Sequence, residues 1–303
     1  MKFFLAPESN AIIVSGRDAK RYLHNRTTIN INELREGVVR QSLVLSPNGR
    51  VEASFFVSKI NDESFLIFFD SLDAEKRDGV VKSIFRFKVA DQVSWSEVSG
   101  KRLEIYSQID DSKVDSFFTN SANAKIIIDL GFKKILLGDI KEDIGSDDTV
   151  SANIGVMFGY PTFGIDFDEK TIASDLPFDI FFSPNKGCYP GQEVVEMATA
   201  RGRPNKRLSF LRSKEHFAIG ASIQAGSEIK NSRGEKIGSC SSAVLNEENY
   251  LCAIGFLKNQ ERNKEDSQEQ DKEHRAEVFI DNISLVESPF EFNPKNYRVK
   301  FLD

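Results

Sequence analysis

Apolar positions follow two rhythms along this chain. Ile12 to Ser15 is a short strand-like run, and Ser15-Gly16-Arg17-Asp18 then sets Ser15 and Asp18 at capping-box spacing. Ala19, Tyr22 and Leu23 recur at helical spacing, which predicts a helix over Asp18 to Asn25. Val38 to Leu45 is rich in β-formers and stops at Ser46-Pro47-Asn48-Gly49, where proline and glycine dictate a turn. Val51 to Ile60 and Ser64 to Phe69, joined through Asn61-Asp62, read as a hairpin. Asp73 to Phe87 returns to the helical period, with Val80, Val81, Ile84 and Phe85 on its apolar side.

Val93 to Val98 and Arg102 to Tyr106 flank Ser99-Gly100 as a second predicted hairpin. Ala124 to Asp129 and Lys133 to Leu137 flank Leu130-Gly131 as a third, with a short helix expected over Ser112 to Phe118. Hairpins punctuated by single helices predict antiparallel sheets with helices on one face, an α+β class. After Arg207 the helical period disappears. Leu208 to Leu211, Ile237 to Leu245, Tyr250 to Leu257, Ala276 to Ile280 and Ile283 to Val286 are short strands, as in a small all-β barrel. The chain thus divides into an α+β region over 1–206 and a barrel over 207–303. A polar, mixed-charge stretch at 258–275 reads as a mobile loop inside the barrel.

Composition narrows the function. The 303 residues are 40% hydrophobic and 28% charged, enough for a self-sufficient core. A net charge of −6 argues against a nucleic-acid partner. No apolar run approaches the roughly 20 residues of a membrane span, and Met1-Lys2-Phe3-Phe4-Leu5-Ala6-Pro7 fits no targeting signal, so a soluble cytoplasmic chain is expected. Three cysteines without C-x-x-C spacing, Cys188, Cys240 and Cys252, fit a reducing compartment rather than a disulfide scaffold or zinc site. The three histidines form no ligand motif, so no resident metal is expected; His24 reads as a surface or cap histidine. Trp95 and the strand phenylalanines Phe55, Phe56, Phe65, Phe68 and Phe69 read as core.

Chemistry concentrates in Pro184-Asn185-Lys186-Gly187-Cys188-Tyr189-Pro190-Gly191-Gln192-Glu193. Two prolines and two glycines make a tight bend, and Gln192 to Ala200 follows as a helix with Val194, Val195 and Ala198 on one side. This puts Cys188 just ahead of a helix N-terminus and beside Lys186, two influences that favour a thiolate. Such a sulfur is nucleophilic, redox-sensitive, or able to hold iron transiently. Cys240 and Cys252, on barrel strands, are expected to be buried and inert.

Lys186-Gly187-Cys188-Tyr189-Pro190-Gly191-Gln192-Glu193 resembles the K-G-C-[FY]-x-G-Q-E signature of the YgfZ family, relatives of the glycine-cleavage T-protein. Arg201-Gly202 and Arg207-Leu208 are similar to the R-G and R-x-L that follow it. Val14-Ser15-Gly16-Arg17-Asp18-Ala19 with Tyr22-Leu23 resembles the family's opening, Ser46-Pro47-Asn48-Gly49-Arg50-Val51 its N-x-K-G-R-V/I turn, Gly159-Tyr160-Pro161 with Gly164-Ile165-Asp166 its G-x-P-x-x-G-x-D, and Ala253-Ile254-Gly255-Phe256 its last A-L-G-Y strand.

The resemblance implies a T-protein-like ring of two interleaved, ferredoxin-like α+β units with a C-terminal β-barrel around a folate pocket. It also implies a folate-linked role in iron–sulfur cluster assembly or repair, with iron–sulfur enzymes or assembly proteins as partners. Cys188 and Lys186 would carry the function. Tyr189, Gln192, Glu193, Met157 and Arg201 are the candidates to hold tetrahydrofolate or a related folate. The pattern also departs from the family. Ser54 stands where relatives carry the Asp that activates the folate amine, and a hydroxyl is no base near neutral pH. Gly155 and Met157 replace an Arg and a pterin-binding Glu, although Met157 and Phe158 still offer contact to a flat ring. These changes set a non-classical helper protein against two alternatives: a tetrahydrofolate-dependent aminomethyltransferase, and a binding module with a relict pocket.

Overall fold

Val51–Asn61 (β4), eleven residues centred on Phe55, Phe56 and Val57, is the longest strand of the first sheet, paired with Val39–Leu45 (β3) and Ser64–Phe68 (β5). Ala11–Ser15 (β2) and Ser94–Glu97 (β6) complete the antiparallel order β3-β4-β5-β2-β6. The computed structural model describes residues 2–6, 8–69, 74–106, 122–131, 133–140, 154–184, 186–200, 204–217, 223–246, 248–259, 277–290 and 296–301.

Alternation sorts this sheet's residues between two cores. Val44, Ala53, Phe55, Val57, Phe65 and Ile67 face helices α1 (Ala19–Arg26) and α2 (Ala74–Phe85), packing with Tyr22, Leu23, Val80, Val81 and Ile84. Leu43, Leu45, Val51, Phe56 and Phe68 face the other way, into a larger core shared with the rest of the molecule. The capping-box expectation fails at α1. Asp18 makes no side-chain cap bond and instead accepts the N–H of Gln92 at 2.8 Å, so the carboxylate ties the helix start to the β6 approach.

The second sheet has the order β1-β7-β9-β8-β16, from Lys2–Ala6 (β1), Lys101–Tyr106 (β7), Ala122–Asp129 (β8), Lys133–Ile140 (β9) and Arg298–Phe301 (β16). The predicted hairpin across Ser99-Gly100 is therefore not one. Strand β6 pairs with β2, and β7 crosses to β1 and β9 in the other sheet. Lys206–His216 (β10), Glu228–Lys230 (β11), Lys236–Leu245 (β12), Tyr250–Lys258 (β13), Glu277–Ile280 (β14) and Ile283–Ser288 (β15) close the barrel β10-β13-β12-β11-β14-β15. The chain then leaves it. β16 pairs with β8, so 298–301 belong to the α+β sheets and not to the 207–303 barrel expected from sequence. The expected helix at Ser112–Phe118 lies outside the described residues, as does the polar loop from 260 onward.

All three sheets meet in the larger core, where Phe56 stacks on Phe68 (4.6 Å, 3°) and lies 6.0 Å from Tyr160 and 6.2 Å from Tyr297. Phe210 and Ile254 join it from the barrel. A buried ion cluster, invisible to hydrophobic patterning, fastens the sheets. Arg102 pairs with Glu104 and donates to the Phe69 carbonyl; Lys133 lies 3.6 Å from Glu104 and 5.8 Å from the Tyr160 ring. Burying charge this deeply is tolerated only when it is paired and hydrogen-bonded. Among the described residues no helix is long and apolar enough to cross a membrane.

Candidate functional site

Two turns that are far apart in sequence build the site. Gly49 (φ +71) donates its N–H to the Ser46 carbonyl at 2.9 Å, closing the 46–49 turn. Gly191 (φ +78) sits on that turn: a Cβ there would lie 2.5 Å from the Ser46 carbonyl oxygen. A Cβ on Gly49 would in turn meet the Val194 side chain at 2.8 Å. Both positions need glycine for conformation and for space. The Gly191 bend launches the helix Gln192–Ala200 (α3), whose Val195 is buried. Upstream, the Ser183 N–H donates to the Thr28 carbonyl at 3.2 Å and Ser183 Oγ accepts the Asn30 N–H at 2.9 Å. The motif is thus held at both ends, by the segment after α1 and by the 46–49 turn.

Lys186, 8% exposed, is the buried member of the motif. Its Nζ donates to the His24 carbonyl at 2.5 Å and lies 4.9 Å from the Tyr189 ring. No carboxylate lies within 4.0 Å of it among the described residues. Burial pulls its pKa down to about 8, partly offset by attraction to Cys188. Cys188, two residues on, is exposed, whereas Cys240 and Cys252 are buried. The Cys240 thiol donates to the Ser242 carbonyl at 3.3 Å, and burial pushes its pKa up to about 12.

His24, expected as a surface or cap histidine, stands in the last turn of α1, half-buried against this motif. Its Nε2 is 3.5 Å from where a Cβ of Gly187 would be, and its Nδ1 is sealed without a partner. Burial first, and then the Lys186 charge, lower its pKa. A lone histidine eight residues after Gly16 carried no signal for this, because only the packing of α1 against the motif reveals it.

The other expected site residues divide. Tyr189 packs half-buried against the large core, and burial pushes its hydroxyl up to about 12. Gln192 donates from Nε2 to Glu196 on its own helix at 2.5 Å, and Glu193 is exposed in the first turn. Both serve α3 itself, and no hydrogen bond joins them to the Ser54 face among the described residues. Met157 is half-buried beside the Gly159 bend. Arg201 lies outside the described residues. Asp166 proves structural: it accepts the Thr162 N–H at 2.8 Å and a hydrogen bond from Ser242, bonding this segment to the barrel.

The residues where a folate is implied can be tested against one. Ser54 and Gln41 lie on the core face of β4 and β3, with Gln41 directly across from Phe56 and Ser54 across from Leu43. Gln41 donates from Nε2 to Ser54 Oγ at 3.3 Å, but its buried Oε1 faces no donor. Buried carbonyls nearly always have one, so this acceptor is open to a donor from water or from a bound group. Half-buried Phe158 and Tyr189 pack on the same core. An open acceptor and two aromatic side chains are the group types that suit a flat heteroaromatic ring. The set holds no carboxylate at Ser54 or Met157, so it fits holding such a ring rather than activating it.

No protein-family model matches the chain. It is 24% identical over 266 residues to the tRNA-modifying protein YgfZ of Aliivibrio fischeri (strain MJ11), covering 82% of each. It is 27% identical over 236 residues to the mitochondrial iron-sulfur cluster assembly factor IBA57 homolog of Pyricularia oryzae, covering 71% of this chain and 58% of that one. In structure it matches the glycine cleavage system aminomethyltransferase T from Bartonella henselae with a TM-score of 0.71 at 15% identity, over 98% of this chain and 88% of the other. That last likeness is one of fold. Together they bear out the resemblance to the YgfZ family and the α+β class with a closed terminal barrel.

Proposed function

We propose that this protein is an accessory factor in iron–sulfur cluster assembly or repair, and that it acts in the cytoplasm through the thiol of Cys188. One contrast carries the reading. Of three reduced cysteines, two are sealed in the barrel, and the third stands exposed on a bend rigidified at both ends, beside a buried amine. An exposed thiol with a cation at hand can exchange with a persulfide or accept iron in passing; cluster, sulfide and iron are cargo here, not resident groups. Lys186 offers that cation with the His24 carbonyl and the Tyr189 ring as its neighbours, so its charge is not neutralised by a carboxylate alongside. The name of the IBA57 homolog, an iron-sulfur cluster assembly factor, supports the same class of work, and iron–sulfur enzymes or assembly proteins are the partners it calls for.

Folate enters as a bound modulator. Gln41, Ser54, Met157, Phe158 and Tyr189 would hold it, and a bound tetrahydrofolate would supply a one-carbon carrier. Ser54 cannot act as the base that aminomethyl transfer requires, so the transferase reading is the weaker one. The test is rescue of cluster-enzyme activity in cells lacking the protein. Wild type restores it, and Cys188→Ala at equal protein level does not. Rescue by Cys188→Ala would end the thiol reading, and turnover of an aminomethyl donor with tetrahydrofolate by the pure protein would favour the transferase.

A further inference from the structure

Trp95, the chain's single tryptophan, was expected in the core and is 44% exposed. It lies on β6, the outermost strand of its sheet, whose four residues are all exposed. The ladder's phase shows which groups that edge presents. Val98 donates its N–H to the Ala11 carbonyl at 2.9 Å, and the register runs Ile12↔Glu97, Ile13↔Ser96, Val14↔Trp95. Bonded and non-bonded pairs alternate in an antiparallel ladder, so Ser96 is bonded to β2 while the N–H and C=O of Trp95 and Glu97 point to the open side.

Beside this edge runs a groove of about 590 Å³ lined by Val81, Lys82, Ser83, Phe85, Arg86 and Trp95. The Trp95 ring stacks on Phe85 at 6.3 Å. Just beyond, Phe87 (53%) and Val89 (92%) are exposed, and Arg26 and Arg86 approach the Phe87 ring at 4.7 and 5.9 Å. In a chain of net charge −6, the groove lining carries Lys82 and Arg86 and no carboxylate; Arg86 is paired at 2.8 Å with Glu52 outside the lining, and Lys82 has no ion pair among the described residues. Apolar floor, cationic rim and free strand edge thus coincide in one place.

We propose that this groove docks an extended, acidic segment of a partner protein. The segment adds as a strand to the open edge of β6, exchanging backbone hydrogen bonds with Trp95, and lays an apolar side chain against Trp95 and Phe85. Its carboxylates meet Lys82 and Arg86. A second copy paired edge to edge is the poorer occupant, because that two-fold contact would bring the same cations against themselves. The inference is independent of the Cys188 reading and goes beyond it.

Because Trp95 is the chain's only tryptophan, its emission reports the event in the full-length protein. The probe is the peptide Ac-Thr-Glu-Thr-Phe-Thr-Glu-Thr-NH2, whose glutamates stand two residues either side of the phenylalanine and so share its face of the added strand. Saturable blue-shifted emission is expected. The affinity should fall about tenfold in a folded Lys82→Glu/Arg86→Glu double variant. It should fall likewise for the same peptide with lysines in place of glutamates, and for one with alternate amides N-methylated. Four results would overturn the proposal: no change with the acidic peptide, equal response to the lysine peptide, equal response to the N-methylated peptide, or a shift that follows protein concentration without peptide.

Discussion

Gly191 rests directly on Gly49, its missing Cβ leaving room for a Cα that would otherwise be 3.0 Å away. The contact joins the bend that carries Cys188 to the turn between β3 and β4, so the thiol's segment is packed directly on the first sheet. Gly191→Ala puts a methyl group 2.5 Å from the Ser46 carbonyl oxygen at φ +78. Conformational strain and overlap together are expected to cost about 2–4 kcal/mol. Denaturant titration reads the loss, and a cost below about 0.5 kcal/mol would show that the two turns are not in contact.

Alkylation should separate the cysteines. Cys188 is expected to react with iodoacetamide well before Cys240 and Cys252, which open only by local or global unfolding. Mass spectrometry of peptides over time measures the order. Equal rates for all three would remove the physical basis for choosing Cys188. Cys188→Ala itself should change stability by no more than about 0.5 kcal/mol, because the side chain is exposed.

Lys186 makes stability depend on alkaline pH. Its folded pKa of about 8 lies below the ordinary 10.5, so between those values the unfolded chain binds more protons than the folded one. Stability from this group therefore rises with pH from about 8 towards 10.5, and the cost of burying the ammonium is fully present below about 8. Lys186→Met should be more stable than wild type near pH 7, with the difference narrowing by pH 10. Paired denaturation curves across that range give the answer, and parallel curves would place the amine in contact with solvent.

Asp175 acts in the opposite range. Burial raises its pKa to about 6 against the pull of Lys206, whose Nζ is 3.7 Å away at the start of the barrel. Here the folded state binds the proton more tightly. The contribution is present below about pH 4 and lost as pH rises through about 6. Asp175→Asn should therefore flatten the acid side of the stability profile and raise the melting temperature at pH 7 more than at pH 4. A lower melting temperature at pH 7 would mean that the Lys206 pairing outweighs desolvation.

The unpartnered Gln41 carbonyl tests the folate reading. Gln41→Met removes a buried acceptor that the protein does not satisfy, so stability without ligand should stay level or rise by about 1 kcal/mol. Tetrahydrofolate should raise the melting temperature of wild type and not of the variant. An equal shift in both would move any folate elsewhere.

Much of this was legible in one dimension. The periodicity of Ala19, Tyr22 and Leu23, the Ser46–Gly49 turn, the β4–β5 hairpin and the barrel strands all rest on local rules, and each formed where those rules put it. The exposure of Trp95 and the cover over His24 were missed for a common reason. Whether a residue is covered depends on which distant segment packs over it, and β6 sits at an edge while α1 lies under the motif. The crossing of β7 into the second sheet escaped for a similar reason: a Ser-Gly dipeptide specifies a bend, not the partner of the strand after it.

By itself the sequence determined the elements, the family likeness and the identity of the reactive sulfur's segment, because turn chemistry and hydrophobic period act over a few residues. Only the tertiary structure decided that the Lys186 ammonium is buried against a carbonyl of α1, and that a tryptophan is left on an open edge. Those outcomes depend on contacts between residues tens to more than a hundred positions apart, and on desolvation that no local pattern encodes.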